Sequence, residues 1–265
     1  MSFDWLRVGI CHGGKYKPSS PRRGRGSAVA KASDFAFQAT TDKMAGQVEV
    51  RGKLLITTKN LDGVHQEERS KMHIIGVSGS PRRRGNSDLV LDAILAGASE
   101  NGTETEALYL SGMEMSSCIG CERCRKDKIC TQFSDDLTPY YPKIGRAGGI
   151  VLVTPVYNYN VTSWMKAFID RLYCFYDFDN ERPRGWSSRL AGQGKTAALA
   201  IVAEQVDPDD LGVTMEAMRM PVKALGYRIA GELAVPGVFE AGVVGQRPEM
   251  LDQAARLGRN LAAQP

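Results

Sequence analysis

Four of the six cysteines fall within thirteen residues, as Cys118, Cys121, Cys124 and Cys130 in the spacing C-x2-C-x2-C-x5-C, while Cys11 and Cys174 stand apart. Thiolates are soft ligands and redox-active groups. A cluster of this kind therefore reads as metal or redox chemistry, not as the framework of a disulfide-stapled scaffold. A second set of groups lies between Ser78 and Ser87, in Ser-Gly-Ser-Pro-Arg-Arg-Arg-Gly-Asn-Ser. The hydroxyls of Ser78, Ser80 and Ser87, the Asn86 amide and free backbone N–H groups converge there on the start of a helix. Unsatisfied donors and the helix dipole favour a phosphate at such a point, and Arg82, Arg83 and Arg84 add positive charge. The plainer alternative is a capped loop with a solvated basic run, and Asn86 or Ser87 caps the helix under either reading. A third set runs from Thr154 to Thr162, where Pro155, Val156, Tyr157, Asn158, Tyr159 and Asn160 combine aromatic faces with amide and backbone edges. Such a loop suits a flat heteroaromatic ring with polar edges.

Together the two loops fit a mononucleotide flavin, FMN, with its phosphate at the first loop and its ring at the second. Other ligand patterns fail on inspection. No G-x-G-x-x-G follows a strand, and Gly24-Arg25-Gly26 lacks both the third glycine and a preceding strand. Gly194-Lys195-Thr196 resembles the end of a P-loop, but Arg189 stands where the first glycine belongs and the segment leads into a strand. His12, His65 and His73 have no partner at ligand spacing and read as structural or exposed. Asp170-Arg171 reads as an ion pair that orients its helix. Arg182, Arg184 and Lys195 flank the Asp177–Gly194 loop, where they read as solvated or, alternatively, as greeting an anionic nicotinamide nucleotide. No acid–base pair or nucleophilic constellation stands out, which suits a protein whose redox chemistry belongs to its cofactor.

The elements that must position these loops follow from hydrophobic periodicity. Residues 73–77, 103–110, 149–154, 196–202 and 228–235 read as strands. Helices are expected over 87–99, over 135–147 with Thr138 as cap and Pro139 first, over 162–176 with Trp164, Phe168, Ile169 and Leu172 inward, over 209–225, and over 247–263 with Pro248 at its start. Strands alternating with crossover helices imply a parallel sheet covered on both faces. Residues 1–71 differ: Lys15 to Lys31 is rich in Ser, Pro, Gly and Arg, and 47–58 offers two short strands. This segment reads as a largely irregular N-terminal extension, and Met72 could itself be a start. The chain of 265 residues is 43% hydrophobic and 24% charged, which excludes wholesale disorder. Its net charge of +4 rests on the basic extension, and the rest has a slight acidic excess. Nucleic acid is therefore not an expected partner. The absence of an apolar stretch of membrane length and of a secretory signal points to no membrane association and to the cytoplasm.

From Met72 onward the chain resembles the NADPH-dependent FMN reductase superfamily of flavodoxin-like proteins. The resemblance is carried by GSPRRRGNS (79–87), TPVYNYN (154–160), WMKAFIDR (164–171) and RPEMLDQAARLG (247–258). It implies an α/β, flavodoxin-like, doubly wound five-stranded parallel sheet in the order 2-1-3-4-5 over residues 72–265, bound FMN, and a homodimer or homotetramer. It also implies that Ser78, Ser80, Asn86 and Ser87 bind the FMN phosphate with Arg82 nearby, and that Pro155, Val156, Tyr157, Asn158, Tyr159 and Asn160 meet the ring edge. NAD(P)H or a ferredoxin-type donor is the implied reductant, and an electron-carrier role without catalysis is the competing class. The cysteine-rich insert at 113–135 resembles that of the iron–sulfur flavoproteins, where such cysteines hold a [4Fe–4S] cluster. Three thiolates at this spacing can take three corners of one cubane, with the fourth from a nearby turn. Zinc sites more often pair two C-x2-C knuckles across a longer span. Thr131 follows Cys130 where ferredoxin-type runs carry proline. A cluster, zinc, and free or disulfide-linked thiols all remain open on the sequence.

Overall fold

The computed structural model of the protein describes residues 72–100 and 102–263. The expected strands within 47–58, together with Cys11, His12 and His65, lie outside them. Five strands, β1 (His73–Ser78), β2 (Glu104–Tyr109), β3 (Gly149–Pro155), β6 (Thr196–Val202) and β7 (Arg228–Val235), form one sheet in the order β2-β1-β3-β6-β7. Every neighbouring pair is parallel. Counted within the sheet alone this is 2-1-3-4-5, the flavodoxin-like order. The intervening β4 (Tyr176–Phe178) and β5 (Trp186–Ser188) make a separate antiparallel hairpin.

The strand sequences explain the layering. In the central strands both faces are apolar. Ile75, Val77, Ile150, Leu152, Leu199 and Ile201 join one core, while Ile74, Val151, Val153, Ala198 and Ala200 join the other. Such unbroken runs are what a parallel sheet with covered faces requires. The first core is closed by α3 (Tyr140–Arg146), α4 (Ser163–Arg171) and α5 (Thr214–Ala224), and the second by α1 (Asn86–Ser99) and α6 (Pro248–Ala262). A short α2 (Cys124–Asp127) lies in the cysteine segment. Among the described residues no helix is long and apolar enough to cross a membrane.

Several local expectations are corrected. Gly85, not Asn86 or Ser87, is the N-cap of α1, and both of those side chains are buried. Thr138 does not cap α3. Its hydroxyl accepts from the Asp135 N–H at 3.0 Å, so Pro139 takes the cap position and the helix starts at Tyr140. The helix expected over 162–176 ends at Arg171 and tightens into a 3-10 turn, Leu172–Phe175. Trp164 is 38% exposed, because Met165, Phe168, Ile169 and Leu172 form the inward stripe and Trp164 sits one step round the helix. The helix expected over 209–225 is split. Pro208–Leu211 is a 3-10 turn, and Gly212, at φ +56°, separates it from α5. Lys195 is buried, not at a loop surface. Its ammonium donates to the carbonyls of Gly145, at 2.9 Å, and Ala147, satisfying the C-terminal end of α3. Burial lowers its pKa.

Helices α1 and α6 cross through two glycines. A Cβ on Gly258 would lie 1.8 Å from the Ile94 carbonyl oxygen, and one on Gly97 would lie 2.1 Å from that of Ala255. Neither backbone atom can yield as a side chain does. In an open helix Gly→Ala stabilises by about 1 kcal/mol. Gly258→Ala is expected to destabilise by about 1–3 kcal/mol instead, seen as a lower urea midpoint. A higher midpoint would mean that the helices have room to part.

Candidate functional site

The loops that leave the carboxyl ends of β1, β3, β6 and β7 enclose a cavity of about 430 Å³. Ser80, Arg82, Asn86 and Ser87 line it from the first loop, and Pro155 through Tyr159 from the second. The loops are stitched together at Gly79. Its N–H donates to the Val153 carbonyl at 2.8 Å, and its carbonyl accepts from the Thr162 hydroxyl at 2.6 Å. The Thr162 oxygen also accepts from the Met165 N–H and so caps α4.

Within the first loop the side chains are committed differently from their appearance in sequence. Ser78 is fully buried and does not line the cavity; its hydroxyl donates to Asp88 Oδ1 at 2.6 Å. The other Asp88 oxygen accepts from the Arg84 N–H at 2.7 Å. Burial raises the Asp88 pKa, and these two donors work against that rise. The Asn86 amide donates to the Glu240 carbonyl at 2.9 Å and accepts from the Val244 N–H at 3.1 Å. Arg82 donates to the Phe239 carbonyl at 2.8 Å, with its guanidinium 5.1 Å from that ring's centroid. Both residues thus fasten the loop after β7, which adds Val238 and Phe239 to the wall. No side chain caps α1, whose first turn faces the cavity through Asn86 and Ser87.

In the second loop Tyr157 and Asn160 exchange backbone hydrogen bonds of 2.8 and 3.0 Å, with Asn158 and Tyr159 at φ +48° and +62° between them. This tight turn with two positive φ angles presents Tyr157 and Tyr159 to the surface and leaves Asn160 outside the cavity lining. Glu204, Gln205 and Asp210 complete the wall from the loop after β6. That loop docks where Gly212 meets the Tyr159 backbone, and the Val213 N–H donates to the Tyr159 carbonyl at 2.9 Å. Sequence reading missed these residues together with Phe239 and Asp88. The available signal was topological, since the loops after β6 and β7 leave the same sheet edge as the first two.

The segment after β2 builds a second cavity, of about 260 Å³, whose wall includes Cys118, Cys121, Cys124 and Cys130, all free thiols. All four thiols lie on the wall of this one cavity, and among the described residues no three His, Cys, Asp or Glu side chains are placed to hold a single ion. Cys174, a fifth free cysteine, also lines it, and burial pushes its pKa up to about 12. The β4–β5 hairpin flanks this segment. Arg184 pairs with Glu122 at 2.5 Å, Lys128 with Asp177 at 2.5 Å, and Arg125 donates to the Asp179 carbonyl at 3.1 Å.

Arg171 does form an ion pair, but with Asp135 at 2.7 Å; neighbouring Asp170 pairs with Lys166. The fully buried guanidinium also donates to the Ser116 carbonyl at 2.7 Å and the Tyr141 hydroxyl at 2.8 Å. It therefore fixes the chain two residues before Cys118. Burial works to raise the Asp135 pKa, but Arg171 and the N–H groups of Ser116 and Leu137 hold it below the ordinary carboxylate value.

Residues 72–220 match the family model described as NADPH-dependent FMN reductase. An iron–sulfur flavoprotein of Archaeoglobus fulgidus is 31% identical over 191 residues, 72% of this chain and 79% of that protein. An iron–sulfur flavoprotein of Methanosarcina thermophila is 38% identical over 100 residues, 38% of this chain and 52% of the relative, so the match spans about half of that protein. Among solved structures, an NAD(P)H:quinone oxidoreductase from Methanothermobacter marburgensis superposes with a TM-score of 0.54 at 24% identity, over 72% of this chain and all of that one. At that identity the superposition supports the fold alone.

Replacing Arg171 by Met strips the donor from Asp135, Tyr141 and Ser116. It is expected to cost about 3–5 kcal/mol of stability at neutral pH, measured by urea unfolding. Because the folded Asp135 pKa is depressed, its contribution is present above the unfolded carboxylate value near 3.9 and is lost as pH falls through the folded value. The gap between the unsubstituted protein and Arg171→Met should therefore narrow below about pH 4. A gap independent of pH would assign the arginine's contribution to packing alone.

Proposed function

The chain belongs to the NADPH-dependent FMN reductase family, in its iron–sulfur flavoprotein branch, and from that premise we propose that it is an FMN-dependent oxidoreductase. In this reading NAD(P)H or a ferredoxin-type reductant is the donor, and Cys118, Cys121, Cys124 and Cys130 would hold a [4Fe–4S] cluster, which would supply one-electron transfer. The observation that carries the proposal is a pair of cavities, one on the loops after β1, β3, β6 and β7, the other between the segment after β2 and the C-terminal end of α4. One has an uncapped helix start and an aromatic turn; the other is walled by four free thiols.

The residues present fit both groups. The first turn of α1 has no side-chain cap, and Ser87 and Ser80 add hydroxyls beside it, which suits a phosphate. The aromatic turn and the walls after β6 and β7 leave room for a planar ring system. Four thiols on the wall of one cavity of about 260 Å³ supply the soft ligands that a [4Fe–4S] cluster would need. Bound FMN supplies hydride acceptance and electron release, chemistry that belongs to the cofactor. The chain's own residues bind and orient it. Phe239, held by Arg82, lines part of the cavity, and the hairpin with its ion pairs braces the cysteine segment from one side.

Protein purified without air is expected to be brown and to contain about one FMN and about four irons with matching sulfide per chain. Cys121→Ala should lose the iron and keep the FMN, because different loops hold the two. Anaerobic mixing with NADPH or NADH should bleach the flavin if the nucleotide is the donor, and reduced ferredoxin should do so otherwise. Stoichiometric zinc without iron or sulfide would remove the cluster from this reading. Metal-free thiols would reduce it to an FMN-only reductase.

A further inference from the structure

The phosphate loop contains a buried acid. Asp88, the third residue of α1, is 4% exposed and lies behind the cavity wall, next in the chain to Ser87, which lines the cavity where a dianion is proposed to bind. A carboxylate there repels phosphate, so its position calls for a compensating role. Its two oxygens reach both ends of the loop: Oδ1 accepts from the Ser78 hydroxyl at 2.6 Å, and Oδ2 accepts from the Arg84 N–H at 2.7 Å. The Ser78 oxygen in turn accepts from the Ser80 N–H at 3.3 Å. Arg84 has φ +55°, a left-handed conformation that is unfavourable for a residue with a Cβ, and its bond to Asp88 holds it there. The next residue, Gly85, is extended and starts the helix.

We propose that Asp88 is a positioning residue for FMN. Linked to Ser78 and Arg84, it sets the loop from 78 to 87 in the conformation that presents Ser80, Ser87 and the first turn of α1 to the phosphate. The inference rests on the FMN reading above, and it assigns Ser78 a role through Asp88, not on the ligand. Its direction is opposite to that of simple electrostatics. If the charge of Asp88 acted only on the phosphate, neutralising it would tighten FMN.

The test uses the full-length chain stripped of flavin and titrated with FMN and with riboflavin, which lacks the phosphate. Asp88→Asn keeps the shape but replaces one acceptor oxygen by a donor. It is expected to weaken FMN by about ten- to hundredfold and to leave riboflavin nearly unchanged. Ser78→Ala removes one arm of the bracket and leaves the carboxylate on Arg84. It should weaken FMN less, again with riboflavin unchanged, and should add little when combined with Asp88→Asn. Unchanged or tighter FMN binding in Asp88→Asn overturns the inference, as does a parallel loss of riboflavin, which marks a general structural role. Full additivity of the two substitutions overturns it too, because Ser78 would then act independently. Should Asp88→Asn fail to fold, Ser78→Ala decides by the same FMN-to-riboflavin comparison. Equal affinity of the unsubstituted protein for FMN and riboflavin is a separate failure: it removes the phosphate reading itself, and the inference with it.

Discussion

The site depends on Gly79, where the loop after β1 is bonded to the strand and helix on either side of the neighbouring loop. Its N–H reaches Val153 at 2.8 Å and its carbonyl receives the Thr162 hydroxyl at 2.6 Å. A Cβ there would stand 2.8 Å from that of Met165, so a larger residue would force α4 away. The join matters because β1 and β3 are adjacent while their following helices, α1 and α4, cover opposite faces of the sheet. The chain diverges there and opens a crevice. Gly79 fixes how far the crevice opens, and Thr162 carries the same bond into the cap of α4.

The two cavities are held by different kinds of interaction. Around the first, hydrogen bonds from side chains to backbone groups join loops far apart in sequence, as the Asn86 amide does with Glu240 and Val244 and Arg82 does with Phe239. Around the second, exposed ion pairs from the hairpin surround one buried guanidinium. Exposed pairs are each worth about 0–1 kcal/mol, so Arg184–Glu122 and Lys128–Asp177 orient the cysteine segment more than they stabilise it. The anchor is Arg171, whose Asp135, Ser116 and Tyr141 partners bring three separate stretches of chain to one point.

The sheet was legible in the sequence because burial on both faces leaves unbroken apolar runs, and the 228–235 strand has the expected bounds. The four cysteines and the two cavity loops were legible through residue type and spacing. Partnership was not. Nothing local to Asn86 says that its amide will meet a loop more than 150 residues later, or that Ser78 will turn to Asp88. The same holds for Thr138, which a one-dimensional reading makes a helix cap and which the fold gives to Asp135. Short polar side chains have several backbone and side-chain partners within reach, and tertiary contacts choose among them.

The three consecutive arginines show how far such choices alter a reading of the site. In sequence Arg82, Arg83 and Arg84 form one positive run at a helix start. In the fold Arg82 binds the Phe239 carbonyl and lies against its ring, Arg83 lies 5.1 Å over the Tyr109 ring, and Arg84 contributes its backbone N–H to Asp88. Each fastens a different piece of structure, and of the three only Arg82 lines the cavity. If a phosphate binds there as proposed, hydroxyls and the uncapped turn of α1 supply most of its donors. Such donors are set by backbone position, whereas a long guanidinium adjusts to its partner. The loop's conformation then controls affinity more than its net charge does. That is why a buried carboxylate can be tolerated beside an anion site: what it contributes to the shape of the loop outweighs the repulsion it brings.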